Sequence, residues 1–201
     1  MRLLIPLLTL ILSISSCAQS PTPTLIGGTC EGCEAVLEYG NKKLTSFDVL
    51  PGYPDQGEPL EVSGTIFQTD GITPAAGVIM YIYHTNANGI YPTNGSETNW
   101  GKRHGYMRGW IKTDKDGKYT FYTIRPASYP NTNVVQHIHA TILEPDGSYY
   151  YIQDFLFLDD PNLNASHQTA SPRGGAGNIM NVSKQDRIWV GWRNIVLRKG
   201  L

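Results

Sequence analysis

The chain has 201 residues, 40% of them hydrophobic and 16% charged, which suits one domain with a real core. A formal net charge of -1 carries no basic footprint and argues against a nucleic-acid partner. Gly 21, Pro 13 and Tyr 12, with few Ala-Leu-Glu-Lys runs, lean the composition towards strands and turns.

The N-terminus reads as a targeting segment. Arg2 precedes an apolar run from Leu3 to Ile14, and Ser15, Ser16 and Cys17 follow. The run is too short for a comfortable membrane span. It resembles a bacterial lipoprotein signal over residues 1–16, with Cys17 as the lipidated first residue of the mature chain. A plain secretory signal cleaved nearby is the competing reading, and both export the protein. The lipid would hold it to a membrane surface in the cell envelope, facing the periplasm, without spanning. Cys30-Glu31-Gly32-Cys33 lacks a second Cys pair for zinc and a βαβ context for redox work. In an oxidising envelope Cys30 and Cys33 are expected to form a local disulfide. Residues 17–57 are expected to be a tether and a stapled segment with little core of its own, ahead of one domain over 58–201.

From Leu60 the pattern is regular. Leu60 to Gln68 alternates, with Leu60, Val62, Gly64 and Ile66 on one face. Val78 to His84 is apolar or aromatic on both faces, as in a buried strand. Asn86 to Gly105 is a long polar insertion holding Tyr91 and Trp100. Met107–Thr113 and Lys118–Ile124 read as a hairpin through Asp116-Gly117, and Val134–Glu144 and Tyr149–Leu158 as another through Asp146-Gly147. Residues 161–183 form a Gly/Asn/Ser-rich loop region, and Arg187 to Leu197 a last strand. Short strands at this spacing predict an all-β antiparallel sandwich with long loops.

The densest group of metal-binding side chains is His137-Ile138-His139 with Tyr129 just upstream. Residues i and i+2 of a strand share a face, so both imidazoles project the same way. Tyr129 lies between Pro126 and Pro130, at a corner from which a phenol can fold back over them. A His-x-His pair is also commonly just exposed or hydrogen-bonded. Tyr91, on the loop after the strand ending near His84, offers a second phenol or an ordinary surface contact.

Three blocks together resemble the intradiol ring-cleavage dioxygenases, non-haem iron(III) enzymes that open catechol rings. They are Gly77 to Tyr91, Arg108 to Phe121 leading into Thr123-Ile124-Arg125-Pro126, and His137-Ile138-His139, and the resemblance covers roughly Glu58 to Leu163. It implies iron(III) held by Tyr91, Tyr129, His137 and His139, with Tyr91 and His137 equatorial and Tyr129 and His139 axial. It implies a small aromatic diol and O2 as substrates, with Tyr129 leaving the metal to take a substrate proton as base. Phenolate, a hard anionic donor, suits iron(III) over iron(II).

The chain departs from that pattern near the expected substrate. Val134 stands where the better-known enzymes carry an arginine, and Asp154, beside Gln153, where they carry a glutamine. Both positions are expected to face the substrate. Arg125, Arg108 and His104 are candidates to supply positive charge there, and Arg125 reads equally as a catalytic group or as a structural ion pair under its loop. A non-catalytic envelope protein that binds ferric iron or catecholates is the alternative to an enzyme.

Overall fold

The computed structural model describes residues 21–167 and 173–201. The expected signal, residues 1–16, and Cys17 lie outside the described residues. In chain order the strands are Thr24–Leu25 (β1), Phe47–Val49 (β2), Pro59–Phe67 (β3), Ile79–Tyr83 (β4), Arg108–Lys112 (β5), Lys118–Ile124 (β6), His137–Leu143 (β7), Ser148–Phe157 (β8), Ile179–Met180 (β9), Val182–Gln185 (β10), Ile188–Trp192 (β11) and Ile195–Val196 (β12). Among the described residues no helix is long and apolar enough to cross a membrane.

The strands form two sheets, ordered β1-β8-β7-β4-β5 with β9 also on β8, and β10-β11-β3-β6-β2 with β12 also on β3. The β3–β6, β4–β5, β4–β7, β7–β8 and β10–β11 pairs are antiparallel. The edges are not. β1 and β9 join β8 in parallel, β11 and β12 join β3 in parallel, and β2 joins β6 in parallel. The all-β sandwich is as expected, with sheets that are mixed rather than antiparallel throughout. Turn dipeptides reveal hairpins, but they are silent about strands that return after long loops.

Alternation builds the core. In β3, Leu60, Val62 and Ile66 are buried to the last, with Val62 opposite Phe121 of β6. They meet Met80, Ile82, Ile138, Ile142, Tyr150 and Phe155 of the other sheet. Each such side chain contributes roughly 1.5–3 kcal/mol of burial.

Two expectations fail for physical reasons. The chain over 108–124 is not a hairpin. Asp114 closes the Asp116-Gly117 turn by accepting the N–H groups of Asp116 and Lys118. The Gly117 carbonyl then accepts the Ile66 N–H of the opposite sheet, and β5 and β6 part into different sheets. A turn signal fixes a reversal, not the partner of the strand that leaves it. Nor do the described residues ahead of 58 stand apart from the sheets. β1 is already paired from Thr24, β2 from Phe47, and the short helical turn Cys33–Leu37 is buried at Cys33, Ala35 and Val36. These residues pack on Ile79, Tyr81 and Trp110 at the outer face of the first sheet, forming a second apolar cluster. That covering explains why β4 is apolar on both faces.

His84, immediately after β4, ties the sheets together. It is fully buried, its Nδ1–H donates to the Thr85 carbonyl at 2.7 Å, and its Nε2 accepts from Thr123 Oγ1 of β6 at 2.6 Å. Burial pushes its pKa down to about 4. The unfolded chain binds a proton near pH 6.5 that the folded one refuses until about 4, so this contribution is fully present above 6.5 and is lost as pH falls to about 4. Urea unfolding across that window is expected to show a decline of up to about 3 kcal/mol from this group. His84→Gln is expected to remove about one proton from the slope. An unchanged slope in that variant would assign the pH dependence elsewhere.

Candidate active site

Two loops at one end of the sandwich carry the phenols, and backbone contacts join them. Asn86 Oδ1 accepts the N–H groups of Asn88 and Ile90, which curls the chain just before Tyr91. The Asn86 carbonyl accepts Ala127 N–H, and Thr85 Oγ1 donates to the Ala127 carbonyl at 2.7 Å. Gly89 has φ +74, and a Cβ there would lie 2.0 Å from the Ser128 carbonyl oxygen. Only glycine allows that backbone and that approach, so the loop before Tyr91 lies directly on the loop bearing Tyr129.

The imidazoles come from β7. His137 Nδ1–H donates to the Val135 carbonyl at 2.7 Å, and His139 Nδ1–H donates to Asp154 Oδ1 at 2.9 Å. Tying off each Nδ1 leaves both Nε2 atoms as bare acceptors, the state a metal-ligating histidine needs. The Asp154 contact depends on a β-bulge. Ile138 is opposite Phe155 and Ala140 opposite Ile152, so His139 alone faces Gln153 and Asp154. A bulge re-aims side chains, and here it turns Asp154 onto His139. Arg193, buried, donates from Nη1 to the Gln153 carbonyl at 2.7 Å and holds the bulge from behind. Burial works against the Asp154 carboxylate, but the His139 hydrogen bond, with the charge of Arg193 behind it, outweighs it and holds the carboxyl below its ordinary range.

Four donor atoms then close a ring. Tyr91 Oη lies 2.6 Å from Tyr129 Oη and 2.9 Å from His139 Nε2. Tyr129 Oη lies 3.2 Å from His137 Nε2, and the two Nε2 atoms are 3.1 Å apart. Donors about 3 Å apart surround a point about 2 Å from each, the bond length of a first-row metal to N or O. The proton count favours the same conclusion. The ring's four contacts have only two hydrogens, those of the phenols, so lone pairs meet without a proton between them. A cation at the centre relieves that repulsion. Burial, then the hydrogen bond and charge of Tyr129, pushes the Tyr91 phenol above its ordinary pKa, and a bound cation reverses that direction. Burial first, then His139, pushes His137 down, which keeps it neutral.

A cavity of about 310 Å³ opens on this cluster, lined by Tyr91, Tyr129 and His139 together with Tyr83, Trp100, His104, Arg103 and Glu31. Tyr83 is the cross-strand partner of His139, with ring centres 4.5 Å apart, and His104 stacks on Tyr83 at 3.8 Å. A second cavity of about 420 Å³ meets the cluster from the other side and includes Val134, Gln153 and Asp154. Val134 is exposed there and brings no charge.

The expected cations do not reach the cavities. Arg125 donates to both oxygens of Asp159 at 2.8 and 2.6 Å and to Gln136 at 2.8 Å, between the rings of Phe157 and Trp189. It has the geometry of the structural ion pair and lines neither cavity. Arg108 pairs with Glu38 at 2.8 Å and lies over Trp110, outside both linings. His104 lines the first cavity, but burial first, then the charges around it, pushes its pKa down to about 4, and it is neutral at pH 7. Sequence reasoning missed Arg103 and Glu31. The alternation of Tyr81 and Tyr83 along β4 could have signalled Tyr83, had the β4–β7 pairing been known.

Gly89→Ala is expected to cost at least about 2 kcal/mol, because it combines a left-handed backbone with a backbone clash. Urea midpoints measure it. A parent-like midpoint would mean that the two loops separate at no cost.

A model of the dioxygenase family matches residues 38–147. Catechol 1,2-dioxygenase 1 of Acinetobacter lwoffii is 33% identical over 115 residues, which are 55% of this chain and 33% of that protein. This chain thus spans about a third of that curated relative. Among solved structures, the dioxygenase domain of a dioxygenase carbohydrate-binding protein fusion from Streptomyces sp. SirexAA-E has TM-score 0.58 and 24% identity, covering 88% of this chain and 97% of that one. Catechol 1,2-dioxygenase from Acinetobacter sp. ADP1 has TM-score 0.56 and 19% identity, covering 78% and 58%. These two likenesses speak to the fold, whereas the family match takes in more than half of the sequence. The chain belongs to the intradiol ring-cleavage dioxygenase family.

Proposed function

We propose that this protein is an iron(III)-dependent intradiol dioxygenase, which uses O2 to open a catechol or related polyphenol between its two hydroxylated carbons. The observation that carries this reading is the closed ring of Tyr91, Tyr129, His137 and His139, with both Nδ1 atoms already engaged. These four residues would hold the ion. Bound iron(III) would supply a Lewis acid that draws electron density from a catechol dianion and makes a ring carbon reactive towards O2. Both oxygen atoms end in the product, a muconate-type dicarboxylate.

The chain's own groups handle protons and position. Tyr129 would bind the ion as phenolate, its own proton released on binding. It could then take a proton from one catechol hydroxyl, with the exposed loop after it giving room to swing out. Tyr91 stays in place, since the loop before it is bound to the backbone of the Tyr129 loop. His137 and His139 would ligate through Nε2, their rings fixed by the Nδ1 contacts to Val135 and Asp154. Tyr83, Trp100 and His104 offer stacking faces to a ring and exclude water. Export and lipid attachment through Cys17 belong to the same proposal and rest on the sequence of residues 1–17.

Anaerobic addition of catechols to the iron-loaded protein, then O2, tests the activity through oxygen uptake and product mass. A complex that forms without oxygen uptake would make this a binding protein instead. Tyr91→Phe is expected to weaken ferric binding and strip most of the phenolate-to-iron colour. Tyr129→Phe is expected to keep the iron and slow catechol binding about a hundredfold, an effect that shrinks as pH rises and catechol ionises unaided. Stopped-flow binding at parent rates in Tyr129→Phe would remove it as the base.

Asp154→Ala is expected to lower iron affinity about 10–100-fold, because His139 loses the partner that fixes its tautomer. Competition with a chelator measures it, and parent-like affinity would make Asp154 irrelevant to the donor ring.

A further inference from the structure

The first cavity has a charged rim built from segments far apart in sequence. Among the described residues lining it, Arg103 is the only Lys or Arg and Glu31 the only carboxylate, and they pair with each other. Both side chains are mostly exposed, at 65% and 69%. An exposed pair of this kind has little net stability, so Arg103 can exchange one carboxylate for another at small cost.

The two partners nevertheless sit on firm supports. Glu31 lies within the loop closed by the Cys30–Cys33 disulfide. Cys33 is buried, and the Trp110 indole N–H donates to the Ala35 carbonyl at 3.0 Å, which fixes the adjoining turn to the sheet. Gly32 lies against His104, where a Cβ would come 2.7 Å from Nε2. Arg103 is in the short helix Gly101–His104, whose Trp100 N–H donates to Glu38 of the same N-terminal segment. The pair therefore stands over a cavity whose floor is Tyr91, Tyr129 and His139. The opposite cavity has the reverse character, with Asp154 and the uncharged Val134. An anionic substituent is repelled on that side and received on this one.

We propose that Glu31 and Arg103 form an exchangeable ion-pair gate that sets substrate charge selectivity. A catechol whose ring substituent ends in a carboxylate takes the place of Glu31 on Arg103. The guanidinium fork matches a carboxylate with two parallel hydrogen bonds, whereas an uncharged catechol leaves the pair closed and gains nothing from it. This selectivity rests on the catechol reading of the site above.

The test uses 3,4-dihydroxyphenylpropanoate and its uncharged methyl ester as probes. Their affinities are measured by calorimetry on the metal-free protein, and their kcat/KM on the iron-loaded protein. The readout is the acid-to-ester ratio. Arg103→Gln is expected to lower that ratio about tenfold in both measurements, mainly through KM. Glu31→Gln is expected to raise it several-fold by removing the competing carboxylate. The parent's ratio is expected to fall with added salt. The two exposed variants thus shift the ratio in opposite directions, which loss of folding does not do. Ratios unchanged in both variants, with the ester still bound and turned over, would overturn the gate and leave the dioxygenase reading standing. Failure of both probes and of catechol itself to bind or react would overturn both.

Discussion

Two imidazole nitrogens aimed at each other are the constraint around which the site is arranged. Nε2 of His137 and Nε2 of His139 stand 3.1 Å apart, and each ring has its only proton committed on the far side, to Val135 and to Asp154. Neither ring can turn without losing a hydrogen bond in a half-dry setting, which costs about 1–3 kcal/mol. In the protein alone each phenol can donate one hydrogen to a neighbouring atom of the ring, which leaves the two nitrogens facing each other without a proton between them. A bound ion would supply positive charge at that point. Much of the surrounding structure can be read as support for this geometry: the β7 strand that aligns the rings, the bulge that turns Asp154 inward, and the paired loops that bring Tyr91 and Tyr129 over them.

The N-terminal segment extends that logic to the outer face of the first sheet. An antiparallel sheet commonly leaves one face to water, but β4 is apolar on both sides and needs a cover. Cys33, Ala35 and Val36 provide it against Tyr81 and Trp110. The same cover brings Glu31 to the cavity rim. Core and site share one segment here, because the residues that cover Tyr81 adjoin those that wall the pocket next to His139. The Glu38 carboxylate shows the coupling again, bonded both to Arg108 and to the N–H of Trp100 at the start of the rim helix.

Much of this was legible in the sequence, and the rest was hidden for specific reasons. The alternation in β3, the two-faced apolarity of β4 and the Asp146-Gly147 hairpin are local signals, and they appear as read. His137 and His139 share a face because the period of a strand is two. The crossing of the chain between sheets after Asp116-Gly117 is not local, since the choice depends on Ile66 in another strand. Arg108 and Arg125 looked available because a sequence shows a charge without its partner. Their partners, Glu38 and Asp159, are 70 and 34 residues away. Arg103 and Glu31 were invisible for the converse reason, being 72 residues apart and joined only at the rim.

The position of Asp154 bears on which oxidation state of iron this site would favour. His137, His139 and Asp154 together form a cluster of two imidazoles and a carboxylate, the donor set that suits iron(II). Asp154, however, spends Oδ1 on Nδ1 of His139, and the imidazole then stands between that oxygen and Nε2. For Asp154 and His139 Nε2 to share one ion, the hydrogen bond must break and the ring must turn away from Tyr91. The bulge held by Arg193 opposes that movement, because it fixes the backbone from which Asp154 projects. The carboxylate would therefore act on a bound ion through His139, raising the basicity of its Nε2, while the phenols would be the direct anionic donors. Hard phenolates, backed by a histidine made more basic, would lower the electron affinity of a bound iron and favour its ferric state.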